Sequence, residues 1–168
     1  MKTFRQLILF LGLTVLISGC GYTLAGKSTV IPCGQTVNVG LFKNRTYQPD
    51  IEGKLRQSVI NELAAKGTNI VADSSDFVLS GEIVSLSNKS TAFSADDKAM
   101  FYTIVLEVQA ELVDRRSGRI VWRGSEVTSQ GYPSNSDLAL QRNAHTAAVS
   151  AACETAARLL VIKMNQSF

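Results

Sequence analysis

The side chains that could perform chemistry in this sequence are few and widely separated. His145 is the single histidine of the 168 residues, and it lies in an alanine-rich helical pattern. One histidine and two distant cysteines supply too few ligands for a metal site. The sequence has no nucleophile elbow, phosphate-binding glycine loop or C-x-x-C motif, and the adjacent acids Asp96 and Asp97 lie in a polar segment. These residues predict a protein that is not an enzyme and that holds no metal and no cofactor.

The N-terminus carries a different kind of chemistry. Lys2 and Arg5 precede an apolar run, Leu7–Ile17, which is shorter than the roughly 20 residues of a membrane-spanning helix. Such a run has the length of the apolar region of a signal peptide. We therefore expect residues 1–19 to be a cleaved signal peptide.

Small residues lead into Cys20 in the segment Leu16–Cys20. This segment resembles the bacterial lipobox, in which the cysteine thiol is acylated before cleavage on its N-terminal side. Several acyl chains on Cys20 would anchor the protein stably to a membrane surface, and Gly21 in place of Asp favours the outer membrane. The alternative is an ordinary signal peptide in which Cys20 is incidental.

The charge balance changes once the signal peptide is set aside. Residues 1–19 contribute Lys2 and Arg5, so the 17 cationic side chains fall to 15 against 14 acidic ones. A nearly neutral domain has no basic field of the kind that binds nucleic acid. Nucleic acid is therefore not expected as a partner.

Two further cysteines remain, Cys33 near the start and Cys153 on a late helix. Proteins outside the cytoplasm can form disulfides, so a bridge between Cys33 and Cys153 is one possibility. Two buried free thiols are the other.

Basic side chains form one local cluster. Arg115 and Arg116, with Arg119, lie at a predicted hairpin turn, where guanidinium groups could bind phosphates bidentately. A solubilising turn is the simpler interpretation. Lys98 precedes the longest predicted strand, and Arg142 lies in the first turns of the last helix.

The periodicity of apolar residues defines the elements that carry these side chains. Thr36–Phe42 alternates as a half-buried strand does. Asp50 is the predicted N-cap of a helix whose apolar stripe is Ile51, Leu55, Val59 and Leu63, and Lys66-Gly67 is its predicted end.

Three further strands and a helix follow. The predicted strands are Asp76–Ser87, Phe101–Val113 and Arg119–Ser129, with a loop at Asn88–Ala99 and a chain turn at Gly131–Asn135. Phe101–Val113 alternates strictly and predicts an antiparallel strand with one buried face. Asn135 or Ser136 is the predicted cap of a helix that runs to Met164 and is rich in alanine.

The order β-α-β-β-β-α predicts an α+β fold, an α/β sandwich in which two helices pack on one face of a four-stranded mixed sheet. We expect residues 20–35 to be a lipidated tether and loop, and residues 36–168 to be a single domain.

An ordered set of short motifs resembles the LptE family of lipopolysaccharide-assembly lipoproteins. The set comprises Cys20-Gly21-Tyr22-x-Leu24, Val39–Phe42 followed by Asn44-x-Thr46-Tyr47, Ile51-Glu52-x-x-Leu55, Ser75–Gly81, Tyr102, Leu112–Asp114 and Val121-Trp122. The resemblance covers residues 20–165, and Ser75 replaces the usual alanine of the family.

The resemblance implies a plug inside the β-barrel of an LptD-type partner, with which it delivers lipopolysaccharide to the outer leaflet. It also implies that basic residues before the long strand and near the last helix contact lipopolysaccharide, which points to Lys98 and Arg142; the hairpin residues Arg115 and Arg116 are further candidates. The alternative function is a lipoprotein regulator that activates an envelope enzyme such as a peptidoglycan synthase.

Overall fold

A computed structural model describes residues 31–32, 34–96 and 98–166 of the chain. These residues form six strands and two helices. The strands are β1 (Thr36–Val39), β2 (Lys43–Asn44), β3 (Asn69–Ile70), β4 (Phe77–Phe93), β5 (Ala99–Asp114) and β6 (Ile120–Pro133). The helices are α1 (Ile51–Ala65) and α2 (Leu138–Gln166).

The sheet is mixed and open, with the strand order β3-β1-β4-β5-β6. β1 is parallel to β3 and β4, the short β2 is also parallel to β4, and β4, β5 and β6 form an antiparallel meander. The predicted α+β class, with two helices and a mixed sheet, is confirmed. The predicted count of four strands is wrong, because β2 and β3 are two-residue strands that add to the edges of β4 and β1.

The apolar stripe of α1 is buried as predicted, with Ile51, Leu55, Val59 and Leu63 at most 1% exposed. Gly67 ends the helix with a φ of 77°, and the amide of Thr68 donates to the carbonyl of Leu63. Asp50 stands at the N-cap position, but its φ is 62° and its side chain makes no capping hydrogen bond. The predicted N-cap position is therefore confirmed, but the expected side-chain cap is wrong, because a residue with a left-handed backbone lacks the extended conformation in which N-cap side chains reach the helix amides.

The hairpin of β4 and β5 is longer than the sequence predicts. Asn88 pairs with Ile104 and Ser90 with Tyr102, and pairing continues to Phe93. The predicted loop at Asn88–Ala99 is wrong over residues 88–93 and at Ala99, which begins β5, because backbone pairing between β4 and β5 does not require apolar side chains. β6 likewise runs to Pro133, past its predicted end at Ser129, and proline is tolerated there at the end of an edge strand.

Strict alternation in β5 places its apolar side chains against the helices. Ile104, Leu106, Val108, Ala110 and Leu112 are each at most 3% exposed. Burial of one such leucine or isoleucine stabilises the fold by about 1.5–3 kcal/mol. This row forms the centre of the core, as the alternation predicts.

Helix α2 lies along β6 and packs against α1. Small side chains allow its close approach, and the hydroxyl of Thr128 donates to the carbonyl of Ala152 at 3.2 Å. The helix begins at Leu138, one residue later than a Ser136 cap predicts and two residues later than an Asn135 cap predicts, because the carboxylate of Asp137 accepts from the amides of Ala139 and Leu140. Neither Asn135 nor Ser136 is the cap; Asn135 accepts from the amide of Asp137 instead.

An ion pair fixes the far end of α2 to the sheet. The ammonium of Lys163 lies 2.5 Å from the carboxylate of Glu126, whose side chain is 7% exposed, and it also donates to the carbonyl of Ser125. Removal of one partner from such a pair leaves an uncompensated buried charge. Among residues 31–166, where described, neither helix is long and apolar enough to cross a membrane.

Candidate functional site

A groove of about 310 Å³ opens where α2 begins, and we call this side of the molecule the groove end. Its lining combines polar, aromatic and cationic side chains, namely Asn88, Tyr102, Tyr132, Leu138, Gln141, Arg142 and His145. A second hollow of about 220 Å³ shares Asn88 and His145 with it and extends to Thr46, Tyr47 and Gln48. The two hollows together form an open groove between α2 and the loop that precedes α1.

Two strands and one helix hold the aromatic wall of the groove. Tyr102 and Tyr132 face each other across β5 and β6, with ring centroids 5.5 Å apart and planes 19° apart. The ring of His145 meets Tyr132 edge-on at 5.8 Å. The hydroxyl of Tyr132 accepts a hydrogen bond of 2.7 Å from the amide of Asn88, and burial raises the pKa of Tyr132. The wall is therefore a fixed surface of stacked rings.

Arg142 lies one helical turn before His145, so both side chains project on the same side of α2. Arg142 is exposed and makes no ion pair with any described residue. A free guanidinium can bind a phosphate or carboxylate through two parallel hydrogen bonds. Tyr132 is only 4% exposed, so the groove offers an anion the Arg142 guanidinium beside a largely buried aromatic pair.

Lys98 lies at the same end of the sheet, at the tip of the β4–β5 hairpin. Its carbonyl accepts from the amide of Ser94 at 2.8 Å, and its amide donates to the hydroxyl of Ser94. Large apolar side chains around this tip and on the first turn of α2 are exposed, namely Phe93, Met100, Phe101, Leu138 and Leu140. The groove end therefore presents cationic and apolar side chains together.

Arg115 and Arg116 lie at the opposite end of the sheet, in the β5–β6 turn. β5 has 16 residues, which span about 50 Å. The structure brings Lys98 and Arg142 to one end and Arg115 and Arg116 to the other. The four basic residues do not form one cluster.

We call the end that carries the β5–β6 turn the tether end, because β1 begins there. The carboxylate of Asp76 accepts from the amide and hydroxyl of Thr36, each at 3.0 Å, and from the guanidinium of Arg116 at 2.8 Å. These bonds, above all the one from the Thr36 amide, hold the pKa of Asp76 below its usual value. The start of β1 and the turn are thereby tied to one carboxylate.

Asp114 stabilises the same turn through hydrogen bonds within it. Its carboxylate accepts from the amides of Arg116 and Ser117, and these bonds lower the pKa of Asp114. Gly118 completes the turn with a φ of 68°, a conformation that glycine adopts without strain. Both carboxylates at the tether end therefore fix the backbone by accepting hydrogen bonds from its amides.

The face of the sheet opposite the helices is polar, and we call it the bare face. A shallow hollow of about 380 Å³ on it is lined by Lys43, Ser80, Glu82, Gln109, Glu111 and Arg123, among others. Ion pairs join Arg45 to Glu82 at 2.7 Å and Arg123 to Glu111 at 3.0 Å. The bare face therefore carries both acidic and basic side chains.

The structure describes Cys153 but neither Cys20 nor Cys33. Cys153 is fully buried, and burial raises the pKa of its thiol to about 11, which leaves it unreactive at neutral pH. Cys20 and Cys33 lie outside the described residues, so the lipid attachment and the Cys33–Cys153 bridge stay predictions. Within the described ranges, no three histidine, cysteine or carboxylate side chains come together as metal ligands could.

The sequence points to Arg142 and places Tyr102 on the inward face of β5, but it does not predict the rest of the groove. By its pattern alone His145 is a lone histidine and Asn88 belongs to a loop. The spacing of Arg142 and His145 on one helix face was the available signal. The pairing of Tyr102 with Tyr132 depends on register and had no local signal.

Comparison with known proteins gives one family and a set of related folds. The family model for LptE, described as lipopolysaccharide-assembly, matches residues 34–164. No curated protein matches the sequence significantly.

Solved structures of similar fold include several lipoproteins. The rare lipoprotein B from Shewanella oneidensis has a TM-score of 0.56 at 16% identity, covering 79% of this chain and 95% of that one. The minor lipoprotein from Acinetobacter baumannii has a TM-score of 0.53 at 12% identity, covering 79% and 91%. A PelC dodecamer from Paraburkholderia phytofirmans has a TM-score of 0.56 at 22% identity, covering 81% and 89%. At these identities the likeness establishes a shared fold.

Proposed function

Because the chain belongs to the LptE family of lipopolysaccharide assembly, we propose that it is an outer-membrane lipoprotein that plugs and assists an LptD-type β-barrel delivering lipopolysaccharide to the outer leaflet. The observation that carries this proposal is the extent of the family match, which runs from before β1 to the last turns of α2. Its action is binding and positioning, with no catalytic step.

The bare face supports the plug role. Barrel interiors in outer membranes are polar, and a plug needs a surface of matching polarity. Arg45, Glu82, Glu111 and Arg123 give the bare face paired charges of both signs. Such a surface can exchange its own ion pairs for pairs with the barrel lumen.

The groove end supports the contact with lipopolysaccharide. Arg142 is exposed beside the stacked rings of Tyr102 and Tyr132, and Lys98 lies at the same end of the sheet. Guanidinium and ammonium groups bind phosphates through charge-assisted hydrogen bonds, and lipid A carries phosphates beside sugar rings. Arg115 and Arg116 lie about 50 Å away along β5, so we limit this contact to Lys98 and Arg142.

Purification of the protein from solubilised outer membrane tests the partner. We expect an LptD-type barrel to co-purify, and less of it with Glu82→Lys and Glu111→Lys, which reverse charge on the bare face. Asp73→Lys with Glu154→Lys, which reverses two exposed acids away from the bare face, is the matched control. Recovery of an envelope enzyme such as a peptidoglycan synthase, without a barrel, would favour the regulator.

Binding to purified lipopolysaccharide tests the groove. Loss of a hydrogen bond to a charged group costs about 1.5–3 kcal/mol, so we expect Lys98→Gln with Arg142→Gln to weaken binding at least about tenfold. The control is Lys43→Gln with Arg158→Gln, which removes the same charge elsewhere on the surface. Equal weakening by both pairs of substitutions would mean that binding depends on the net charge of the protein and not on Lys98 and Arg142 in particular.

Fractionation of Cys20→Ala tests the anchor. Without the acylated thiol, we expect the protein to leave the outer-membrane fraction. Retention of Cys20→Ala in the outer membrane of cells that lack the barrel partner would contradict lipid attachment at Cys20.

A further inference from the structure

The tether end carries three arginines that the proposed lipopolysaccharide contact does not use. Arg115, Arg116 and Arg119 lie in the β5–β6 turn, and all three are exposed. Arg116 shares its charge with Asp76, whereas Arg115 and Arg119 make no ion pair with any described residue. Two guanidinium groups therefore remain available to an external anion.

The carboxylates beside these arginines accept hydrogen bonds from backbone amides. Asp76 accepts from the amide of Thr36, and Asp114 accepts from the amides of Arg116 and Ser117. The turn therefore keeps its carboxylates on the protein side and its guanidinium groups on the solvent side. Ile120, which follows Arg119, is 47% exposed, so an apolar side chain stands beside the cations.

The position of the turn relative to the chain start gives the second observation. Arg116 and Thr36 bind the same carboxylate of Asp76, so the basic turn adjoins the point where the folded domain begins. Ile31, the first described residue, lies only 11 positions after Cys20. An extended chain spans at most about 3.6 Å per residue, which limits this segment to about 40 Å. The groove end lies about 50 Å further along β5.

We propose that Arg115, Arg116, Arg119 and Ile120 form a docking surface for anionic phospholipid headgroups of the leaflet that holds the lipid anchor. This proposal rests on the proposed attachment at Cys20 and goes beyond lipopolysaccharide delivery. The arginines bind headgroup phosphates, and Ile120 enters the boundary between headgroups and acyl chains. Docking at this surface would orient the long hairpin away from the membrane that carries the anchor.

Flotation with phospholipid vesicles tests the surface without the anchor. The experiment uses a form of the protein that begins at Gly21. This form retains every described strand and helix and therefore the whole packed core. It is mixed with vesicles of phosphatidylcholine alone or with equal phosphatidylglycerol. We expect binding to the anionic vesicles only, and weaker binding as salt rises, since headgroup attraction is screened.

Removal of the charges should weaken this binding. Each basic residue near an anionic surface contributes about fivefold to partitioning, and Arg116 is partly neutralised by Asp76. We expect Arg115→Gln, Arg116→Gln and Arg119→Gln together to lower the partition coefficient at least about tenfold. The three Arg→Lys changes should restore most of it, because they retain the charge.

The matched control removes three exposed cations that lie elsewhere, with Lys43→Gln, Lys89→Gln and Arg158→Gln. We expect less than about a twofold change, and circular dichroism verifies that each variant is folded. Equal loss in the control, or no preference of the parent protein for anionic vesicles, would overturn the docking surface. So would binding confined to vesicles that contain lipopolysaccharide. Since this protein has no lipid, these results are independent of Cys20, which the fractionation experiment tests separately.

Discussion

The tether end and the groove end lie at opposite ends of the β5–β6 pair and use similar side chains differently. Each has an aromatic ring over a glycine of β6. At the tether end Trp122 covers Gly124 and is 7% exposed, whereas at the groove end Phe101 covers Gly131 and is 40% exposed. The first ring is part of the core, and the second is part of the surface.

The polar groups are similar at the two ends. Asp76 and Asp114 at the tether end accept hydrogen bonds from backbone amides, as Asp137 does at the groove end. Each end also carries exposed arginines without an ion pair to a described residue, Arg115 and Arg119 at the tether end and Arg142 at the groove end. The two ends therefore differ in the burial of their aromatic rings. Substitutions at matched positions can sharpen or break this comparison.

Truncation of the two aromatic rings should give the largest difference. Trp122→Ala removes a buried ring and should lower the free energy of unfolding by about 3–5 kcal/mol. Phe101→Ala removes a half-exposed ring and should cost about 1 kcal/mol. Urea unfolding measures both, and equal losses would contradict the assignment of Phe101 to the surface.

Addition of a methyl group beneath each ring is a milder form of the same comparison. The Cβ atom of Gly124→Ala would lie 2.5 Å from the buried Trp122 ring, and that of Gly131→Ala 2.4 Å from the Phe101 ring. The buried ring has no space to move, so Gly124→Ala should cost about 1–3 kcal/mol. Phe101 can rotate towards solvent, so Gly131→Ala should cost less in the same urea experiment.

The hydroxyl of Tyr132 should matter less to stability than the buried ring of Trp122. Tyr132→Phe removes the hydrogen bond from Asn88 and should lower the free energy of unfolding by about 1 kcal/mol. Tyr102→Phe is the control, since it retains the stacked rings. A stability unchanged by Tyr132→Phe would show that the hydrogen bond from Asn88 does not contribute to folding.

Acid should lower the stability of the protein through Asp76 and Asp114 at the tether end. The backbone amides of Thr36 and Arg116 lower the pKa values of Asp76 and Asp114 in the folded protein. The stability they contribute is complete above the unfolded pKa of about 3.9 and is lost as pH falls through the lower folded pKa. Between pH 5 and pH 3, the urea midpoint of Asp76→Asn with Asp114→Asn should therefore fall less than that of the parent protein. Parallel curves would refute this origin of the acid sensitivity.

The candidate site was only partly predictable from the sequence. Arg142 and Lys98 were identified through a family resemblance, and Tyr102 was placed correctly on the inward face of β5. His145, Asn88 and Tyr132 join the groove through strand register and helix placement, which bring together residues up to 57 positions apart in the sequence. No local sequence pattern predicts that these side chains lie next to one another.

The sequence by itself determined the elements that bury a periodic apolar face. The alternation of β5, the four-residue stripe of α1 and the left-handed Gly67 all emerge as predicted, because burial of apolar area and the freedom of glycine act locally. Only the tertiary structure decided the outer half of the β4–β5 hairpin and the short strands β2 and β3. Those features depend on backbone pairing between distant segments, which any side chain except proline permits.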